Sequence, residues 1–155
     1  MHGDTLSRLR DHAEITELVS RYFFSLDAHE FDDAWAGSLF TQDAVLDFPV
    51  GSHRGLDGLA DFTAGIMAPW TRTQHHATNH LITLGGDRAD VVWNVLATHV
   101  HPAAQDEPPA TEHFHIGGRF DGEAVRTPAG WRFGRLVLHV IWMTGRPAVR
   151  APRTF

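Results

Sequence analysis

The sequence predicts an α+β domain in which N-terminal helices pack on a curled, mostly antiparallel sheet. Two observations carry this. Apolar residues recur at helical spacing through much of the first seventy positions. Beyond them lie long strand-like runs separated by turn clusters. Helices followed by an antiparallel sheet form a layered α+β arrangement. At 155 residues the chain suits one domain that can enclose a modest pocket. That domain is expected over 1–145. Residues 146–155, with two prolines and three arginines, are expected to form a tail that is flexible or lies over a pocket mouth.

The first helix is expected over 6–28, where Ile15, Leu18, Val19, Tyr22, Phe23 and Leu26 make one apolar stripe. A shorter helix follows at 30–39, then a strand at 44–50 closed by Gly51, then a helix at 55–70 stopped near Pro69. Four long strands complete the chain, at 72–84, 88–101, 111–126 and 131–145. Gly85-Gly86-Asp87 turns the first pair, a loop rich in proline and acid spans 102–109, and Thr127-Pro128-Ala129-Gly130 turns the last pair. The second long strand is apolar on both faces: Trp93, Val95 and Ala97 on one, Val92, Leu96 and Val100 on the other. One face would meet the helices and the pocket. The other would meet a second subunit, so a homodimer or homotrimer is expected.

Composition removes several kinds of chemistry. The formal charge of −6 argues against a nucleic-acid surface. No run approaches the ~20 apolar residues of a membrane span, and the first residues lack the apolar stretch of a signal peptide, so a cytoplasmic protein is expected. The absence of cysteine excludes thiolate nucleophiles and disulfides. All thirteen basic residues are arginine, which excludes Schiff-base catalysis and a Walker-type phosphate loop. What remains in quantity is histidine, twelve of them, the side chain that titrates near neutral pH unaided.

Asp27 stands one turn beyond Phe23, on the edge of the apolar stripe. It reads equally as a functional carboxylate or as the cap of the next helix. His75 and His76 must point to opposite faces of their strand, so one could face a pocket. His99 extends the apolar face of Trp93, Val95 and Ala97, which calls for a buried partner or a ligand. His113 and His115 oppose Phe114, Ile116 and Phe120 in parity and should face away. The His-x-His pairs at 99/101 and 113/115 suggest a metal, but the closely spaced glutamate of a cupin site is absent and no metal is expected. Phe48, Trp70, Trp93, Phe114 and Phe120 are the expected pocket lining. If they are more than core, they favour an aromatic or terpenoid-like ligand over a sugar or phosphate.

Three segments, ITELVSRYFFSLDAHEFDDAWAGSLFTQDAVLDF, TQHHATNHLITLGGDRADV and FHIGGRFDGEAV with GWRFGRL, follow one another in a familiar order. In them the chain resembles the SnoaL-like branch of the nuclear transport factor 2-like superfamily. The resemblance implies a cone-shaped barrel. It also implies an aspartate at the end of the first helix paired with a histidine on the next long strand, as in scytalone dehydratase, lindane dehydrochlorinase and bile-acid 7α-dehydratase. Asp27 and His75 fall on those positions. Tyr22 falls on a catalytic tyrosine of the bile-acid enzyme, and His99 on a second pocket histidine of scytalone dehydratase.

The chain also departs from these relatives. Leu26 and Phe48 stand where scytalone dehydratase has two water-holding tyrosines, and Ile116 and Gly118 where it has serine and asparagine. Leu136 or a neighbour stands at the last-strand arginine of the dehydrochlorinase and the bile-acid enzyme; Arg135 is close in sequence but has the opposite parity.

The implied activity is a cofactor-independent dehydratase-like lyase or an isomerase. His75 would be the base, Asp27 its partner, Tyr22 an acid or oxygen clamp, and His99 a second acid or a group that steadies an enolate. Its substrate would be a small hydrophobic or polycyclic hydroxy-carbonyl compound. A cyclase or epoxide hydrolase would use the same pocket. A non-catalytic binding or oligomerisation module would have the cavity filled and the polar groups scattered.

Overall fold

The computed structural model describes residues 2–102 and 112–148. Helix α1 runs His2–Ala28 and its apolar stripe is the first layer of the core: Ile15, Leu18, Val19, Tyr22, Phe23 and Leu26 are all buried. Helix α2, Asp33–Leu39, starts three residues later than its pattern suggested. The reason is a cap: Asp32 is extended, and its carboxylate accepts the Trp35 backbone N–H at 2.7 Å. Asp32, and not Asp27, therefore caps this helix. Strand β1, Phe40–Phe48, and the short β2, Gly51–Arg54, form a hairpin. Helix α3 is shorter than expected, Leu59–Met67, because Gly58 before it takes a left-handed conformation, φ 75°. Strands β3 (Arg72–Gly85), β4 (Arg88–Val100), β5 (Phe114–Thr127) and β6 (Gly130–Thr144) follow.

The six strands make one sheet in the order β2-β1-β6-β5-β4-β3. All neighbours are antiparallel except β1 and β6. This is the expected α+β class, three helices on a mostly antiparallel sheet. The sheet is not closed into a barrel: β2 and β3 are its two edges. The 3.6-residue stripe of α1 meets the inward faces of β4, β5 and β6, where Val91, Trp93, Phe120, Phe133 and Leu136 are buried. The opposite face of the sheet, with the outer strand ends, leaves Leu81, Leu96, Ile141 and Trp142 exposed.

One irregularity decides how β3 presents its side chains. Pairing with β4 slips between Thr78 and Leu81, where Asn79 takes φ 58°. Before the bulge Thr73, His75 and Ala77 are the half-buried residues; after it His80, Ile82 and Leu84 are. An unbroken strand would have put one of these sets outward. The bulge lets both ends of a 14-residue edge strand face the helices.

Beyond β6 the chain turns at Gly145, φ 84°, where an added Cβ would lie 2.0 Å from the His113 carbonyl oxygen. Gly145→Ala is expected to cost roughly 1–3 kcal/mol of stability, from left-handed backbone and this clash. Gly37→Ala, in open space on α2, is expected to stabilise by about 0.5–1 kcal/mol. Urea unfolding of the two variants checks the opposite signs. Of the expected tail, 149–155 lie outside the described residues, as do 103–111 of the expected loop and third long strand.

Candidate functional site

Asp27 belongs to the last turn of α1, and β3 packs beside it. His75 Nδ1 lies 2.6 Å from Asp27 Oδ1, and the His75 backbone N–H donates to Oδ2 at 3.0 Å. A third donor, the Thr73 hydroxyl, reaches Oδ1 at 3.0 Å. Burial alone would raise the Asp27 carboxyl's proton affinity. The donors from His75 and Thr73 outweigh it and hold the group below the ordinary carboxylate value. An ionised carboxylate only accepts, so the proton in the pair sits on His75 Nδ1 and Nε2 carries a lone pair. His76 is exposed on the other face.

His75 opens on a cavity of about 310 Å³, within the range of small-molecule sites. Tyr22, Phe48, Trp70, His99, Phe114 and Phe120 share its wall. Asp27 stands behind His75 and does not line the cavity. Trp93 also does not: it is fully buried, stacked 4.9 Å from Phe120 and close to Phe133, so it is core beneath the wall. Its side chain takes the inward face that strand parity predicts, but Phe120 intervenes. The lining also takes in residues outside that expected set, among them Thr63 and Met67 from α3 and Leu138 from β6. The helical spacing Leu59, Thr63, Met67 was the available signal for the first two. Pro147 and Ala148, from the start of the expected tail, line the cavity as well.

The polar groups of the wall sort by what they can give. Tyr22 is buried, and burial pushes its hydroxyl well above the ordinary phenol value, so it stays a neutral donor. It makes no side-chain hydrogen bond among the described residues and is packed edge-on against Phe40 and Phe120. His99 is buried, with Nδ1 3.2 Å from the Phe114 carbonyl oxygen. A carbonyl accepts only, so the proton is on Nδ1 and the His99 Nε2 is a second lone pair.

Burial, and then the neighbouring His75, push the His99 pKa down to about 4 against the opposing bond to Phe114. The rings of His75 and His99 stand 5.8 Å apart, edge to face. At neutral pH His99 is therefore an acceptor and not the second acid that the sequence suggested. An NMR titration should show the His99 ring signals moving with a midpoint near pH 4. A midpoint near 6.5, the ordinary imidazole value, would refute this.

No arginine or carboxylate lines the cavity among the described residues. Leu136 is buried at the last-strand position and Arg135 is exposed. His101 donates to the Arg146 carbonyl at 2.7 Å and lies against Trp70, and His115 pairs with Thr98 on the outer face. No three His, Asp or Glu side chains among the described residues are grouped to hold a metal ion. No described helix is long and apolar enough to cross a membrane.

Comparison with known proteins agrees with this architecture. Residues 7–137 match the model of the SnoaL-like domain. The crystal structure of the Kfla4162 protein of Kribbella flavida is 30% identical, with a TM-score of 0.79 over 88% of this chain and 95% of that one. A hexachlorocyclohexane dehydrochlorinase of Novosphingobium barchaimii is 20% identical, with a TM-score of 0.76 over 96% of this chain and 99% of its own. A nuclear transport factor 2-like superfamily protein of Salmonella enterica is 22% identical, with a TM-score of 0.69 over 92% and 95%. At the last two identities the likeness is one of fold.

Proposed function

The chain belongs to the SnoaL-like domain family, and from that premise we propose that it is a cofactor-independent lyase of the dehydratase kind, or an isomerase. Its substrate would be a small hydrophobic or polycyclic hydroxy-carbonyl compound. The observation that carries the reading is the Asp27–His75 pair, with an unprotonated Nε2 at the wall of an apolar cavity. A carboxylate behind an imidazole fixes its tautomer and raises its basicity.

The steps follow from the donors and acceptors. His75 Nε2 takes a proton from the carbon next to the substrate carbonyl. The Tyr22 hydroxyl donates to the carbonyl oxygen as negative charge gathers there. The His75 imidazolium, now paired with the Asp27 carboxylate, returns the proton. It goes to the departing hydroxyl in an elimination, which leaves as water, or to another carbon in an isomerisation. His99 Nε2 accepts a hydrogen bond from a substrate hydroxyl and orients it. A wall without Arg, Asp or Glu side chains among the described residues favours a neutral substrate, since an anion would be desolvated without a partner. The dehydrochlorinase that shares this fold is named for another elimination.

A panel of cyclic hydroxy-ketones incubated with the protein in deuterium oxide tests the proposal. Mass spectrometry should show deuterium gain at the carbon next to the carbonyl, or loss of water, with at least one member. A compound that binds and stabilises the protein but undergoes neither change in any case would favour a binding module.

A further inference from the structure

Asp27 holds more than His75. Thr73 lies two residues before His75 on β3, so strand alternation puts both side chains on the face that meets Asp27. Asp27 accepts only, so the one proton of the Thr73 hydroxyl goes to Oδ1. The Thr73 oxygen is then left with lone pairs, and His29 Nε2 lies 3.3 Å from it. The proton of that contact must come from His29. The chain thus has one direction: His29 donates to Thr73, Thr73 to Asp27, and His75 to Asp27 from the other side. None of His29, Thr73 and Asp27 lines the cavity, so anything they do to a substrate passes through His75.

The backbone at His29 points the same way. It is the residue just after α1, with φ 56°, where a helix most often ends on glycine. The other non-glycine residue with positive φ among the described ones is Asn79, a type that tolerates this conformation. Histidine too is among the types enriched there, and at this position its Nε2 lies within reach of the Thr73 hydroxyl. Strain of this sort persists where neighbouring contacts over-determine the residue.

We infer that His29 and Thr73 are positioning residues of a four-member relay, His29–Thr73–Asp27–His75, which fixes the orientation of the carboxylate and the share of its charge that reaches the catalytic imidazole. Three donors on one carboxylate leave it no freedom to rotate away from Nδ1. The Thr73 donor also draws charge from the oxygen that His75 binds, and the His29 donor polarises Thr73 further. The inference rests on the reading of His75 as the base.

The test uses the 15N-labelled full chain without substrate. The Nδ1–H proton of His75 should appear far downfield, identified by its loss in Asp27→Asn. Thr73→Val should move that signal, Thr73→Ser should leave it in place, and His29→Asn should move it in the same direction by less. Asparagine suits the left-handed backbone but is too short to reach the Thr73 oxygen. Where a substrate is in hand, Thr73→Val should lower kcat roughly 3- to 10-fold, as expected for one lost hydrogen bond, with KM little changed. An unmoved signal in both Thr73→Val and His29→Asn would overturn the relay. Because the signal needs no turnover, that result is distinct from a failure to find any substrate converted.

Discussion

His75→Ala is expected to lower kcat/KM by roughly 10²–10⁴-fold, the usual contribution of a general base, while the protein stays folded. The imidazole lies at a cavity wall and not in the close-packed core, so its removal enlarges an existing space. Asp27→Asn should come close to the same loss by a different route. Asp27 Oδ1 accepts from both Thr73 and His75 Nδ1, and Oδ2 accepts from the His75 backbone N–H. An amide has one acceptor end, so one of these two places would confront donor with donor. With the oxygen facing the backbone N–H, the NH2 group would drive the His75 proton from Nδ1 to Nε2, and the base would be lost. With the oxygen facing His75, the tautomer survives but the charge that stabilises the imidazolium is gone. Steady-state kinetics, paired with circular dichroism to confirm folding, measures both variants. Full turnover by either one would remove His75 from the role of base.

The sequence disclosed different parts of this arrangement through different physics. The stripe of α1 was plain because Ile15, Leu18, Val19, Tyr22, Phe23 and Leu26 bury one face of a long helix, and burial writes a 3.6-residue period. The alternation in β4 from Ala89 to His99 was plain for the same reason with period two. The edge strand β3 was harder. Its bulge at Asn79 changes which residues face inward, and nothing in local spacing announces a residue that slips the register. The strand β2 was missed because four small or polar residues on an edge, none of them buried, carry no apolar pattern. At the site, spacing left Asp27 undecided between cap and catalyst. The resemblance implies the catalyst; the structure gives the cap to Asp32 and pairs Asp27 with His75. Trp93 shows the limit of parity: a strand tells which face a side chain takes, but Phe120 on the neighbouring strand decides whether it reaches the cavity. The tautomer of His99 depends on a carbonyl fifteen residues away, at Phe114, and no local signal carries it.

Asp11→Ala is expected to cost roughly 3 kcal/mol of stability while leaving the His75–Asp27 pair unaltered. Asp11 lies on α1 sixteen residues before Asp27, about 24 Å along the helix. Asp11 is only 6% exposed, and its carboxylate accepts from both Arg126 terminal nitrogens at 2.8 Å. Trp131 Nε1 adds a third bond at 3.1 Å, and the Arg126 guanidinium lies 4.5 Å above the Trp131 ring. Arg126 also grips Asp87 in the β3–β4 turn. One carboxylate thus ties α1 to β5 and β6. Removing Asp11 leaves Arg126 with Asp87 and partial access to water, which places the cost at the low end of the range for broken buried pairs. Arg126→Ala should cost more, because it strands a carboxylate that water hardly reaches and uncovers Trp131.

The pH dependence supplies an independent check. The Arg126 bonds, against the cost of burial and helped by Trp131, hold the Asp11 carboxyl below its ordinary value of 3.8. A lowered folded-state value contributes stability that is complete above 3.8 and disappears as pH falls through the lower folded value. Asp27 is also lowered and adds a parallel loss, so the informative quantity is the difference between wild type and Asp11→Ala. That difference, from urea unfolding, should be constant near neutral pH and shrink only below pH 3.8. Sites this far apart without shared partners act additively, so the His75 Nδ1–H signal should be the same in both proteins. A moved signal would mean that the anchor at one end of α1 sets the geometry at the other. An unmoved one, with the stability lost, would separate what holds this fold together from what its cavity does.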